Sequence, residues 1–141
     1  KDLVLIGTAK QFKVAPWLLE SLEIGERPLS FVELAYHKGI DPKILAQAKE
    51  EFTQTPVEVL LTDFLACRAF TFEPAGPLSS DCLLLFGEED RLTPVKYVQP
   101  LRDLLARHRL SLIPDAGHMV MIEQPESTNR EICNFLSAAR P

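Results

Sequence analysis

Cys82-Leu83-Leu84-Leu85-Phe86-Gly87 and Leu110-Ser111-Leu112-Ile113-Pro114 are the two stretches whose reading decides the fold. Each is a short, almost unbroken apolar run stopped by Gly or Pro, the pattern of a strand buried on both faces of a parallel sheet. Between them, residues 93–108 predict a helix. Thr93 suits its N-cap and Pro94 its first position, while Val95, Val98, Leu101, Leu104 and Leu105 fall on one side. Strand, helix, strand is a parallel unit with a right-handed crossover expected. Toward the C-terminus, Pro125 opens a closing helix with Ile132, Phe135 and Leu136 as its buried side. Toward the N-terminus, Leu3-Val4-Leu5-Ile6, closed by Gly7-Thr8, is a further strand of the same kind.

About 75 residues separate that first strand from the second, far more than the dozen or so of an ordinary crossover. Residues 16–22, 31–37, 42–52 and 56–70 read as helices. The last carries Val57, Leu60, Leu61, Phe64 and Leu65 at helical spacing. Gly25, Gly39 and Thr55-Pro56 break them, and Glu73-Pro74-Ala75-Gly76-Pro77 leads out. The expectation is a helical lid over residues 16–77 spliced into an α/β core formed by 1–15 and 78–141.

At 141 residues, 46% hydrophobic and 25% charged, the chain has the makings of one domain with a core of its own. Its net charge of −5 argues against a nucleic-acid surface. No apolar run approaches the roughly 18 residues a membrane span needs. Cys67, Cys82 and Cys133 are odd in number and lack C-x-x-C spacing. A disulfide framework or zinc site is therefore not expected, and a reducing, cytoplasmic compartment is. Cys67 reads as lid packing, Cys82 and Cys133 as core. The chain opens without Met, directly on an apolar strand, which suggests a fragment or processed piece.

Ligands of open α/β sheets bind beyond the carboxyl ends of the strands. Past the second strand lies Phe86-Gly87-Glu88-Glu89-Asp90-Arg91-Leu92-Thr93-Pro94; past the third lies Pro114-Asp115-Ala116-Gly117-His118-Met119. Neighbouring parallel strands run about 4.8 Å apart, so a carboxylate and an imidazole on these loops can meet. Such a pair fixes the imidazole tautomer and stabilises the imidazolium formed when the other ring nitrogen takes a proton.

The order G-x-x-D-x-x-x-P over 87–94, then Gly117-His118, then Glu123-Gln124-Pro125, with Lys1-Asp2-Leu3-Val4-Leu5-Ile6-Gly7-Thr8-Ala9 ahead, resembles the C-terminal part of cap-bearing α/β-hydrolase-fold enzymes. The resemblance implies a partial α/β-hydrolase fold of about three parallel strands with flanking helices and an inserted helical cap. It implies Asp90 as the acid and His118 as the base of a triad, no cofactor, and a small-molecule substrate, carboxylic esters by default. Trp17, Phe31, Phe64, Phe70 and Phe72 are candidates for lining a pocket under the cap. His37, in the cap, and His108, before a strand, read as solvated or packed, and Glu88 and Glu89 as solvent-facing.

The family's nucleophile sits on a G-x-S-x-G elbow. None of Ser21, Ser30, Ser79, Ser80, Ser111, Ser127 and Ser137 is flanked by glycines in that way, nor does any cysteine occupy such a turn. In the family's order the elbow precedes the acid and base, so the nucleophile, a serine for esters or C–C bonds or an aspartate for dehalogenase or epoxide chemistry, is expected upstream of Lys1, and the chain alone is expected to hydrolyse nothing appreciable. The strand at Leu3-Val4-Leu5-Ile6 would then present a bare edge, covered by another chain, a second copy or an N-terminal half. The alternative is a non-catalytic binding or interaction module of hydrolase fold. A glycosidase using Glu88 and Glu89 has no other feature to support it, and a metal site of His118, Asp90 and Glu123 lacks helical i, i+4 spacing and a second histidine nearby in sequence.

Overall fold

A computed structural model describes residues 2–138. Its centre is a three-stranded parallel sheet in the order β1-β2-β3, with β1 at Asp2–Ile6, β2 at Leu78–Gly87 and β3 at Leu105–Ile113. Leu3 pairs with Cys82 and Leu5 with Leu84, while Leu84 faces Leu110 and Gly87 faces Ile113 on the other side. As the central strand, β2 buries Cys82, Leu83, Leu84 and Leu85 completely, which is why it reads as an unbroken apolar run. Its side chains alternate between two cores. Cys82, Leu84 and Phe86 pack with Val98, Leu101 and Leu105; Leu83 and Leu85 pack with Ile113, Ala116, Val120 and Phe135. Each fully buried aliphatic side chain contributes about 1.5–3 kcal/mol relative to exposure.

The helix expected over 93–108 is much shorter. A 3-10 turn at Val95–Tyr97 runs into α5, Gln99–Arg102 (helices numbered along the chain), and β3 has begun by Leu105. Val95, Val98 and Leu101 do share one face, but Leu105 reaches the same core as a strand residue. Thr93 caps no helix. β3 also extends further back than its apolar run, taking in Arg107, His108 and Arg109. These exposed side chains suit an edge strand, where Arg107 pairs with Asp81 and Arg109 with Glu131.

Between β1 and β2 stand α1 (Pro16–Glu23), α2 (Leu29–Leu34), α3 (Pro42–Gln54) and α4 (Val57–Ala69). Pro at the first turn of α1 and α3 matches the sequence expectation, and Asp41 caps α3 by accepting from the Lys43 N–H at 2.8 Å. Leu18, Leu22 and Leu60 form the heart of a separate cluster with Phe31, Phe52 and Phe64 around it. The segment's entry and exit are tied together: Gln11 bridges Thr71, and the Phe72 N–H donates to the Lys10 carbonyl at 2.9 Å.

After β3 come a short helix, α6 (Val120–Glu123), not anticipated from sequence, and α7 (Pro125–Ala138). Phe135 is buried and Ile132 packs beside it, but Leu136 is 40% exposed and Thr128 takes its place inside. Thr128 can do so because its hydroxyl donates to the Val120 carbonyl at 3.0 Å. Cys133, expected in the core, is exposed, whereas Cys82 is buried.

Candidate active site

The loops after β2 and β3 are stitched to each other. The Glu88 N–H donates to the Ile113 carbonyl at 3.0 Å and the Glu89 N–H to that of Ala116 at 2.9 Å. Gly87 is required there, since a Cβ on it would lie 2.0 Å from the Gly117 oxygen and 2.3 Å from that of Ala116. That contact brings the two loops together and sets Asp90 opposite His118.

Asp90 Oδ2 lies 3.0 Å from His118 Nδ1. Oδ1 accepts from the backbone N–H groups of Leu92 at 2.9 Å and Thr93 at 2.8 Å, and Oδ2 also accepts from the Thr93 hydroxyl at 2.7 Å. The carboxylate side chain is fully buried, while the imidazole is 26% exposed. Burial alone would push the Asp90 carboxyl up, but His118 and the Thr93 donors outweigh it and hold the group below its ordinary value. An ionised carboxylate can only accept, so Nδ1 carries the proton and Nε2 is the basic nitrogen. Thr93 Oγ1, 3.1 Å from Nδ1, already gives its own proton to Asp90 and can share the imidazole's. Thr93 is thus part of the site in a role its sequence position did not signal.

Gly7, at the end of β1, closes the other side. It has φ +52°, a conformation glycine adopts freely, and a Cβ there would stand 3.0 Å from His118 Cε1 and 3.1 Å from Nδ1. His118 borders a cavity of about 320 Å³ that Trp17, Phe31, Phe64 and Cys67 also line. Phe70 and Phe72, expected beside them, instead border a smaller cavity with Leu3 and Leu5. Cys67 therefore faces a cavity rather than only packing the helices.

His37 is partly buried and lies 3.7 Å from Glu89, whereas His108 is exposed on β3 and takes a hydrogen bond from Arg102 at 3.0 Å. Glu88 and Glu89 are both exposed. Glu123, singled out in the sequence as part of a motif and of a disfavoured metal set, has each carboxylate oxygen bound to a backbone N–H: Oε1 to Gly117 at 2.9 Å, Oε2 to His37 at 2.7 Å.

The arrangement of three parallel strands with helices inserted between the first two is matched widely among solved structures. A thermophilic esterase superposes with a TM-score of 0.84 at 29% identity, covering 97% of this chain and 56% of that one. The enol-lactonase from Burkholderia xenovorans LB400 gives a TM-score of 0.84 at 20% identity, with the same coverage of 97% and 56%. The chain carries a partial α/β-hydrolase fold, and its likeness to that family extends over a C-terminal portion.

Among curated proteins it is 27% identical over 99 residues to an uncharacterized hydrolase, YugF, of Bacillus subtilis, covering 69% of this chain and 36% of that protein. It is 37% identical over 59 residues to human protein ABHD8, covering 42% of this chain and 13% of that protein. The chain thus spans about a third or less of these relatives and just over half of the solved structures. No family model matches the sequence.

Proposed function

We propose that this chain supplies the acid and base of a serine hydrolase acting on carboxylic esters, with Asp90 as the triad acid, His118 as the base and the nucleophile encoded upstream. The observation that carries the proposal is the 3.0 Å contact between Asp90 and His118 Nδ1, at the border of an apolar cavity. In the reaction, Nε2 of His118 takes the proton of the serine hydroxyl as its oxygen attacks the ester carbonyl. Asp90 stabilises the imidazolium, which then protonates the departing alcohol. Water, deprotonated by the same nitrogen, cleaves the acyl-serine ester and restores the enzyme. Likeness to esterases supports this substrate class.

The proposal extends to the cap, the sheet edge and the compartment. Residues 16–77 serve as a cap whose Trp17, Phe31 and Phe64 receive the apolar part of the substrate. β1 is an edge strand, and an N-terminal half of the same fold, or a second copy, covers it. The setting is cytoplasmic, in keeping with three free cysteines.

The test is to express the chain with its own upstream coding sequence beside the 141-residue form, and to assay both on p-nitrophenyl esters and with a fluorophosphonate probe. The extended protein is expected to be labelled on serine and to turn over, and His118→Ala to abolish turnover; the shorter form is expected to do neither. Turnover by the 141-residue form that His118→Ala abolishes would sink the upstream nucleophile. Upstream sequence without a nucleophile would make the chain a binding module.

A further inference from the structure

Glu123 does not touch the Asp90–His118 pair, yet it holds the backbone on which His118 is mounted. Its two oxygens join Gly117, the residue before His118, to His37, three residues beyond α2. The same turn is held from other directions. The Ala35 carbonyl accepts from the His118 N–H at 2.8 Å and the Met119 N–H at 3.3 Å. Arg91, next to Asp90, donates to the Tyr36 carbonyl at 2.8 Å and also to that of Glu33. The approach is tight, since a Cβ on Gly117 would stand 2.7 Å from His37 N.

The loops carrying Asp90 and His118 are therefore both fastened to residues 35–37. Hydrogen bonds to a carboxylate are roughly twice as strong as neutral ones, and a carboxylate can accept both N–H groups because it has no proton to place. A glutamine cannot: its amide nitrogen would confront one of the two N–H donors.

We propose that Glu123 is a positioning residue that sets His118 against Asp90 by clamping Gly117 to His37, so that the pair's geometry depends on how residues 35–37 are seated. The proposal deepens the acid–base reading of His118 and rests on it.

The test uses NMR of the 141-residue chain, following the Nδ1 proton of His118. In the unaltered chain this proton should be observed, shifted downfield and slow to exchange; its absence would overturn the acid–base reading itself. In Glu123→Gln, with near-UV circular dichroism unchanged, it should exchange at least tenfold faster or vanish, and Glu123→Asp, too short to span both amides, should not restore it. An unaltered resonance in a folded Glu123→Gln overturns the clamp and leaves the acid–base reading standing. If Glu123→Gln does not fold, hydrogen exchange in the unaltered chain decides. The Gly117 and His37 amides and the His118 Nδ1 proton should share one opening rate, and three unrelated rates overturn the clamp.

Discussion

Asp90 is the more deeply buried partner of His118: across a 3.0 Å contact the carboxylate side chain has no exposure while the imidazole keeps 26%. The carboxylate is thus shielded and fixed by Leu92 and Thr93, whereas the imidazole remains open toward the cavity it borders. A hydrogen bond arranged in this way orients the ring and leaves its second nitrogen free of the carboxylate.

Asp90→Asn is nearly isosteric but offers an N–H2 group that can face Nδ1, reversing the tautomer and placing the imidazole proton on Nε2. In the nucleophile-bearing protein kcat should fall by about four orders of magnitude, the scale known for this substitution in a serine-protease triad. KM should move little. Steady-state kinetics on a p-nitrophenyl ester checks this, and a fall of less than tenfold would refute the role proposed for Asp90.

Because the Asp90 carboxyl is held below its ordinary value when folded, the folded state binds its proton less readily than the unfolded state does. The stability it contributes is fully present above the ordinary carboxylate range and is lost as the pH falls through the lower folded value. Urea unfolding between neutral pH and pH 3 should show an acid-side loss of stability in the unaltered chain and a shallower one in Asp90→Asn. Parallel profiles would contradict the assignment.

How much of this could be read from sequence divides along physical lines. β1 and β2 were legible because both faces pack against apolar clusters, fully in β2 and partly in β1, leaving apolar runs that end at Gly7 and Gly87. β3 was only half legible, since Arg107 and Arg109 sit on an edge where pairing with Asp81 and Glu131 makes charge tolerable. The helix read over 93–108 failed because Val95, Val98 and Leu101 pack on a face of the sheet that Leu105 joins from a strand. Asp90 and His118 were visible through their loop motifs. The parts played by Arg91 and Glu123 were not, because they bind backbone groups of a turn 55 and 86 residues distant, and backbone groups carry no residue signature.

Two glycines should fail in proportion to what a methyl group would meet. Gly87→Ala puts a Cβ 2.0 Å from a backbone oxygen that cannot move without breaking the loop, so it should unfold the chain or lower Tm by well over ten degrees. Gly7→Ala meets His118 atoms at 3.0 and 3.1 Å and a strained φ of +52°, costing about 1–2 kcal/mol for the backbone alone. It should keep the fold, with Tm lowered by several degrees and the His118 ring resonances displaced. Calorimetry and NMR of the two variants test the order, and a Gly87→Ala as stable as Gly7→Ala would contradict the packing of the two loops.

Leu84 and Leu136 separate core from surface at two positions that both read as buried in the sequence. Leu84 is completely buried on the central strand, so Leu84→Ala removes transfer energy and leaves a cavity, about 2–5 kcal/mol in all. Leu136 is 40% exposed on α7, and Leu136→Ala should fall within about 0.5 kcal/mol of the unaltered chain. Denaturant titration measures both. A large loss at Leu136 would mean that a surface outside residues 2–138 covers α7, and would return that helix to the buried face its sequence periodicity suggested.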